Sequence, residues 1–481
     1  MAVSQARGAA FEILLRVERD GSYASELLHS DRLTKLAPRD HGLATELVMG
    51  VLRWRWLLDQ RIAAASSQQI DRLDGEVLAA LRLGAYQLQF LSRVPVRAAI
   101  FESVELVKAA RKRSAASFVN AVLRTIAKAG AQDVIPKIAQ SPDSQAIAQN
   151  AAHPPWLVER WAARYGLATT RLICAYDQTV PDTAIHIYDD QSRTDLANNG
   201  KIEAELAAAG VEVSRGHLLS GARRVIAGDV SKTLLFREGR LLIQDEASQL
   251  VALLAGREQI AELDPANHKG PDGDGRNIER ANAGRTILDC CAAPGGKTRL
   301  LAWRNPRAKV FATELHAQRA RLLKNLSRLS NIHILAADAR MLPFSRVFDR
   351  ILADVPCSGT GTLARNPEIK WRLRIEDLKD LQARQVGILE SALERLAIGG
   401  RLVYSTCSLE PEENEAVVET VLDGAAKFVV VDFRHELEGL RQSGDLLPGC
   451  DVSSLLAGPY LRTIPGVHSS DGFFAALIER K

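Results

Sequence analysis

From residue 285 onward the chain repeats one unit: a short apolar segment, a small-residue or acidic turn, and a stretch of helical spacing. "TILDCCA" runs into "GGKTRLLAW" and "KVFATEL" into "HAQRARLLKNLSRL", and "IHILAADA" and "FDRILADVP" precede "DLKDLQARQVGILESALERLA". "GRLVYSTCS", "EENEAVVETVL", "KFVVVDF" and "GFFAALIER" complete the series. Such alternation predicts a doubly wound, mostly parallel sheet, which binds ligands beyond the carboxyl ends of its strands. The last segment has no crossover helix before it, which predicts an antiparallel edge strand.

The residues before this series carry a different pattern. "ARGAAFEILLRVE", "RDHGLATELVMGVLRWRWLLDQRIAAA", "GEVLAALRLGAYQLQFL", "RAAIFESVELVKAA" and "SAASFVNAVLRTIAKAG" repeat apolar residues at three-four spacing. The turn signals "DGSY", "APRD" and "RVPV" separate them. They predict an all-α domain over residues 1–133 and a polar, proline-bearing linker over 134–155. Between 156 and 243, "PPWLVERWAARYG" and "KIEAELAAAG" have helical spacing, whereas "TAIHIYD", "RRVIAGD" and "GRLLIQD" are extended. A small α+β domain is expected there. An α/β Rossmann-like domain with a seven-stranded, mostly parallel sheet then occupies 244–481, with a polar, glycine-rich insertion over 256–285.

The net charge of +4 is unevenly placed. Residues 1–130 hold 19 Lys and Arg against 13 Asp and Glu, so the remainder is slightly acidic. A basic module joined to a near-neutral one suits a polyanion-binding accessory domain, although an ordinary solvated surface accounts for the same numbers. "RKR" at 111–113 has the same two readings. None of the six cysteines forms a C-x-x-C pair, so a zinc ribbon or redox dithiol finds no support. Sparse cysteine and the lack of a signal-peptide core or membrane-length apolar stretch predict a cytoplasmic protein with no membrane association and no metal.

In "LDCCAAPGGKT" a Walker A loop fails on spacing, because position 291 is cysteine rather than glycine, and G-x-G-x-x-G fails as well. What remains is a strand ending in Asp289 and a small-residue turn into a helix. Small residues let backbone approach a ligand closely, and a helix N-terminus offers free N–H groups to a carboxylate. Glu314 ends the next strand, where an acid can take both hydroxyls of a ribose, and Asp338 follows the third, where an adenine amino group is read. Each acid alone is equally a solvated loop residue. As a series after a glycine turn, without a phosphate-binding device, they favour S-adenosylmethionine over a dinucleotide or ATP.

Two cysteines then follow neighbouring strands: "ADVPCSG" places Asp354, Pro356 and Cys357 after the fourth, and "YSTCS" places Thr406 and Cys407 at the end of the fifth. A lone cysteine there is most often a small buried hydrophobe. Two at one rim, beside a methyl donor, suit methylation of C5 of a pyrimidine. A thiolate adding at C6 turns the ring into an enamine, and later removal of the C5 proton lets the sulfur leave. A nearby cation such as Lys297 raises the thiolate fraction, and Asp354 can hydrogen-bond the ring edge. Spacing does not say which sulfur attacks.

"DCCAAPGGKT", "DVPCSGTGTLARNPEIKWR" and "YSTCSLEPEENE", with "IQDEASQLVA" and "HSSDGFF", resemble the signature blocks of RNA 5-methylcytosine methyltransferases of the Nop2/Sun type. "RDHGLATELVMGVLRW" and "SFVNAVLRTI" resemble the NusB RNA-binding fold, and together they point to the bacterial Sun/Fmu enzymes acting on 16S ribosomal RNA. The resemblance covers nearly the whole chain outside 256–285. It implies a cofactor loop of Cys291, Ala292, Ala293, Pro294, Gly295, Gly296 and Lys297, with Glu314 at the ribose, where the family usually has aspartate. It places Asp338 at the adenine and Asp354 between methyl donor and base. Cys407 is then the nucleophile and Cys357 assists release. The implied target is cytosine 967 of 16S rRNA, naked or in an early small-subunit particle, met by a monomer. Two rival readings are a DNA cytosine methyltransferase using Cys357 and a non-catalytic RNA-binding assembly or antitermination factor.

The remaining features have blander readings. "LEPEENE" reads mainly as a helix start, with Pro411 and early glutamates matched to the dipole. Trp371 reads as packing or base stacking. Cys174 and Cys450 read as structural and Cys290 as core-facing.

Overall fold

A computed structural model of the chain describes residues 3–30, 33, 35–129, 136–188, 200–257, 284–327 and 329–481. Most of the expected 256–285 insertion lies outside the described residues. The chain forms two compact units, one of Met1–Pro181 with Thr362–Leu373 and one of Asp182–Gly361 with Arg374–Lys481.

In the first unit the five expected helical segments form helices Gln5–Arg19, Pro38–Ser66, Gly75–Phe90, Val96–Ala109 and Ala116–Ala129. Proline at the first turn of Pro38–Ser66 starts that helix without losing an internal hydrogen bond. Its Leu47, Val51, Trp54, Leu58 and Ile62 recur at helical spacing and are buried in one core with Leu81 and Leu123. Each such side chain contributes roughly 1.5–3 kcal/mol. Arg82 is buried beside two acids, with Nε 2.6 Å from Asp59 Oδ1 and Nη1 3.0 Å from Glu18 Oε1, so its charge is compensated. "RKR" stays at the surface, where Lys112 pairs with Asp74 at 3.0 Å.

The first unit extends past the expected boundary at 133. Part of the expected linker is helical, over Pro136–Ala139 and Ser144–Asn150, and Asp143 caps the latter through Ala146 N. Helix Pro155–Asp177, expected to begin the α+β domain, belongs here because Leu157, Val158, Trp161 and Ile173 are buried within this unit. Thr362–Leu373, expected in the α/β domain, completes the unit. Trp371 packs rather than standing free, with Nε1 donating to the Leu52 carbonyl at 2.7 Å, and Arg372 Nη2 donates to the Val17 carbonyl at 2.8 Å.

In the second unit, β1 (Thr183–Ile187), β2 (Glu212–Arg215), β3 (Ala222–Ala227) and β4 (Leu241–Ile243) form an antiparallel sheet ordered β2-β3-β1-β4. Helix Gly200–Ala208 buries Ile202 and Leu206 in a core with Ile185, Ile187 and Leu241.

The larger sheet contains β5 (Thr286–Asp289), β6 (Lys309–Glu314), β7 (Ile332–Ala336), β8 (Phe348–Asp354), β9 (Leu396–Thr406), β10 (Phe428–Val431), β11 (Leu456–Ala457), β12 (Tyr460–Thr463) and β13 (Phe473–Arg480). Strands β7-β6-β5-β8-β9 are parallel and β13 is antiparallel to β9. The sheet has nine strands rather than seven. Because β9 occupies one side of β13, β10 and β12 share the other end to end, and β11 pairs antiparallel with the outer side of β12. β13 is therefore interior, not an edge.

Side chains alternate across this sheet with period two. Ile287, Leu352, Val403 and Leu477 join the core under helices Glu246–Gly256 and Gly296–Arg304. Their neighbours Leu288, Ile351, Leu402 and Ile478 join the opposite core with Ile388 and Leu389 of helix Asp377–Glu394 and Val417 of helix Glu415–Leu422. The strand order reverses between β5 and β8, so a crevice opens at their carboxyl ends. The turn Pro411–Glu413 does precede a helix, yet Glu413 is fully buried rather than facing solvent at its start.

Candidate active site

Strand β5 delivers Asp289 to the crevice as a buried carboxylate. Oδ2 accepts from Thr298 Oγ1 at 2.7 Å, whereas Oδ1 has no hydrogen-bond partner among the described residues. Burial, opposed by the Thr298 hydrogen bond and reinforced by the nearby Asp354 charge, pushes the Asp289 pKa up to about 7. The chain then turns into helix Gly296–Arg304 through Gly295, whose φ of +112° disfavours any side chain. A Cβ there would also lie 2.2 Å from Leu323 Cδ1. The turn therefore keeps its shape only with glycine.

A cavity of about 390 Å³ lies against this turn, lined by Asp289, by Cys291 through Lys297, and by Asp354. Every residue expected in the cofactor loop is thus brought together. Neither Glu314 nor Asp338 lines this cavity. Glu314 is buried at the end of β6 and accepts from His316 N at 3.0 Å. Asp338 accepts from Arg340 N at 2.9 Å and pairs with Arg340 Nη2 at 2.6 Å. The hydrogen bonds from the Arg340 side chain and backbone hold its carboxyl below the usual range.

The layer of the smaller sheet supplies a wall that sequence reasoning missed: Leu242 on β4, Gln244 just after it, and Phe236 on the short helix Leu234–Arg237 before it. "IQDEASQLVA" held the signal for part of it. Asp245 caps helix Glu246–Gly256 through Ala247 N at 2.9 Å. Glu246 accepts from the backbone N–H groups of His217, Leu218 and Leu219 at 2.7 to 2.9 Å. Gln244 is held at the edge of the crevice by its own backbone, its N–H donating to the Ala184 carbonyl at 3.0 Å and its carbonyl accepting from Gln249 Nε2 at 2.8 Å.

Strand β8 ends in Asp354, whose two oxygens are both engaged. Lys297 Nζ lies 2.7 Å from Oδ2 and Ser405 Oγ, on the paired strand β9, 2.7 Å from Oδ1. Burial lowers the Lys297 pKa, but the Asp354 carboxylate, with a smaller contribution from Cys407, outweighs it and holds the ammonium above its ordinary value. Its Nζ also lies 5.0 Å from the centroid of the Phe473 ring on β13.

The neighbouring ends of β8 and β9 bring the two cysteines together. Cys357 Sγ and Cys407 Sγ are 3.2 Å apart, and both are free thiols. The hydrogen bond to Cys407, then burial, push the Cys357 thiol up, so Cys357 holds its proton in this state. Cys174 and Cys290 are fully buried, and Cys450 is half-buried beside the core. Among the described residues no cluster of His, Cys, Asp and Glu fits a metal, and no helix is long and apolar enough to cross a membrane.

Residues 278–479 match the model of the 16S rRNA methyltransferase RsmB/F family, and residues 4–128 match that of the NusB family. The chain is 31% identical over 490 residues to the probable ribosomal RNA small subunit methyltransferase B of Bacillus subtilis, covering 100% of both chains. Its fold is similar to the crystal structure of PH0851, with a TM-score of 0.75, 22% identity and 99% of each chain covered. It is also similar to NSun6 from Pyrococcus horikoshii with SFG, with a TM-score of 0.51 and 17% identity over 67% of this chain and 97% of that one. An α/β crevice with paired thiols, matched over its whole length at this identity, places the chain in the RsmB/F family of 16S rRNA methyltransferases, with a NusB-type helical domain at its N-terminus.

Proposed function

We propose that this protein transfers a methyl group from S-adenosylmethionine to C5 of a cytidine in 16S rRNA, through a covalent adduct between Cys407 and C6. The observation that carries this reading is the pair of free thiols 3.2 Å apart at the ends of β8 and β9, next to the Lys297–Asp354 ion pair. The residue types of the crevice fit the cofactor. Asp289 Oδ1 is a buried acceptor without a partner, suited to a cationic donor, and Gly295 and Gly296 let backbone approach a ligand closely. Bound there, S-adenosylmethionine supplies an electrophilic methyl on a sulfonium. Glu314 and Asp338, at the ends of β6 and β7, are proposed to meet its ribose and adenine.

The Cys407 thiolate forms a bond to C6, and the ring electrons move to C5 and the N3–C4 edge. Asp354, held by Lys297 and Ser405, faces that edge and orients it. Once Cys407 has become a thioether it no longer holds the Cys357 proton in the thiol–thiolate hydrogen bond. The largest cause of the raised Cys357 pKa is thereby removed, and the negative charge of Cys407 with it, while burial remains. The enamine pair of C5 forms the bond to the methyl, and the old sulfur–methyl pair stays with the departing donor sulfur. Cys357 can then ionise and remove the C5 proton; the C5–H pair forms the C5=C6 bond as the C6–sulfur bond breaks and Cys407 leaves as thiolate. The target base must leave its stack to reach the thiols, at a cost of a few kcal/mol in a duplex. The helical first unit is proposed to bind the RNA. Cytosine 967, the target implied by the sequence resemblance, is the nucleotide proposed.

Cysteine variants assayed on 16S rRNA with bisulfite mapping test this reading. Cys407→Ala abolishes methylation, whereas Cys357→Ala accumulates a protein–RNA adduct when cofactor is present. Adduct lost in Cys357→Ala and retained in Cys407→Ala would reverse the roles, and methylation of DNA alone would move the substrate.

A further inference from the structure

Glu413 is fully buried, yet its carboxylate receives donors from both cysteine loops. Oε1 accepts from Ser358 N at 2.8 Å, and Oε2 accepts from Ser358 Oγ and from Ser408 Oγ, the latter at 2.5 Å. Ser358 directly follows Cys357, and Ser408 directly follows Cys407. Gln385, on helix Asp377–Glu394, ties the same group to the backbone before Cys357. Its Nε2 donates to Glu413 Oε1 at 2.9 Å and to the Pro356 carbonyl at 3.0 Å. One carboxylate therefore holds the residue next to each sulfur.

The geometry points to Glu413 as a positioning residue that sets the separation of the Cys357 and Cys407 sulfurs. Consecutive Cα atoms are a fixed distance apart, so fixing Ser358 and Ser408 about one group fixes the cysteine backbones relative to each other. Four donors converging on one anion make charge-assisted hydrogen bonds, stronger and more directional than neutral ones. A second brace supports the clamp. Gly361 N donates to the Cys407 carbonyl at 2.9 Å, and only glycine fits there, because a Cβ would lie 2.2 Å from the Gly472 carbonyl oxygen. Glu413 positions the cysteines through the two serines and Gln385. Its charge separately raises the Cys357 thiol pKa, so removing that charge alone would ease Cys357 ionisation, the opposite of a slowed reaction.

The consequence rests on the proposed roles of the two thiols, but the positioning itself does not. Exchanging Glu413 for glutamine keeps the shape and removes the charge. The new amide either faces the N–H donors of Ser358 and Gln385 with no acceptor, or faces the two hydroxyls, which must turn from donating to accepting. The two loops then separate. The two serine hydroxyls meet at Glu413 Oε2, 3.0 Å apart, but each follows a different cysteine, so the serines divide its effect. Ser408→Ala mainly slows adduct formation by Cys407, and Ser358→Ala mainly slows release and leaves adduct behind. A residue needed only for folding would not produce that division.

Diamide, which takes both thiol protons and two electrons as the disulfide forms, reads the sulfur separation without RNA or methyl transfer. In the full-length protein, Cys357 and Cys407 cross-link rapidly, and Glu413→Gln slows cross-linking by about a hundredfold, the effect of roughly 1 Å of misplacement. An unchanged cross-linking rate in folded Glu413→Gln overturns the inference. If that variant does not fold, Ser408→Ala supplies the same readout with the carboxylate retained, and an unchanged rate there overturns it equally. Slow cross-linking with normal methylation upholds the positioning and instead defeats the proposed role of the thiol pair.

Discussion

Lys297 Nζ and Asp354 Oδ2 are 2.7 Å apart, and this pair joins the helix after β5 to the end of β8 across the crevice where the strand order reverses. The ammonium compensates Asp354 and lies near two other acidic groups, Asp289 and the Cys407 thiol. One cation thus links the Cys291–Lys297 turn with the cysteine rim.

Removing that cation should leave two carboxylates facing each other. Lys297→Met is expected to destabilise the protein toward the lower part of the ~3–5 kcal/mol range for breaking a buried pair, because Asp354 is partly exposed. Urea unfolding measures it. In a double-mutant cycle with Asp354→Asn the two losses should be clearly non-additive, and simple additivity would show that the pair carries no coupling.

Asp289 makes both stability and ligand binding depend on pH. Its folded pKa of about 7 lies above the unfolded value of ~3.9. Between these values the folded state binds more protons, so its stabilising contribution is complete below the unfolded pKa and is lost as pH rises through about 7. The slope is at most ~1.4 kcal/mol per pH unit. Asp289→Asn should flatten the stability profile across that window. S-adenosylmethionine affinity should rise with pH below about 7 and level off above it, with proton release visible by calorimetry in buffers of differing ionisation enthalpy.

Gly295→Ala combines a positive φ with a clash against Leu323 Cδ1. The expected result is a loss of more than ~1 kcal/mol of stability, because alanine is incompatible with this backbone. Displacement of the Gly296–Arg304 helix start should also weaken cofactor binding. Thermal unfolding and equilibrium dialysis read the two effects.

Lys370 is buried in the first unit, donating to the Arg53 carbonyl at 3.1 Å and to the Ala152 carbonyl at 3.4 Å. Burial lowers its pKa against the attraction of Asp177, whose own carboxyl is raised by burial. Lys370→Met leaves Asp177 with Arg53 as its remaining cationic neighbour and pushes its carboxyl, already at about 7, further up. The cost should stay below the ~3–5 kcal/mol of a stranded buried charge, because Asp177 can take up a proton. The loss is expected in the unfolding free energy at neutral pH. It should shrink toward acidic pH, where Asp177 becomes protonated. An undiminished loss in acid would assign the cost to packing instead.

Much of the architecture was legible because its signals are local. The three-four spacing from Leu47 to Ile62 produced a helix with those residues inward, and the period-two alternation of Ile287 with Leu288 placed two cores on opposite faces of β5. The run from Cys291 to Lys297 was recognisable as a turn because small residues before a helix have few other uses. What escaped was long-range. Trp371 and Lys370 lie within a sequence block of the α/β domain but pack in the helical unit. Gln244 reaches the crevice only because β4 is held there. Glu413 looked like a dipole-matched helix start, since a glutamate beside proline is indistinguishable from one without knowing what surrounds it.

By itself, then, the sequence determined which segments are helices and strands, where the tight turns fall, and that two cysteines follow adjacent parallel strands. Tertiary structure alone decided that their sulfurs stand 3.2 Å apart, that Glu413 braces both loops, and that Asp289 is left with an unpartnered oxygen. The physical reason is range. Periodicity and turn chemistry act between residues a few positions apart, whereas burial, pairing and pKa depend on strand register and packing between residues 50 or more positions apart.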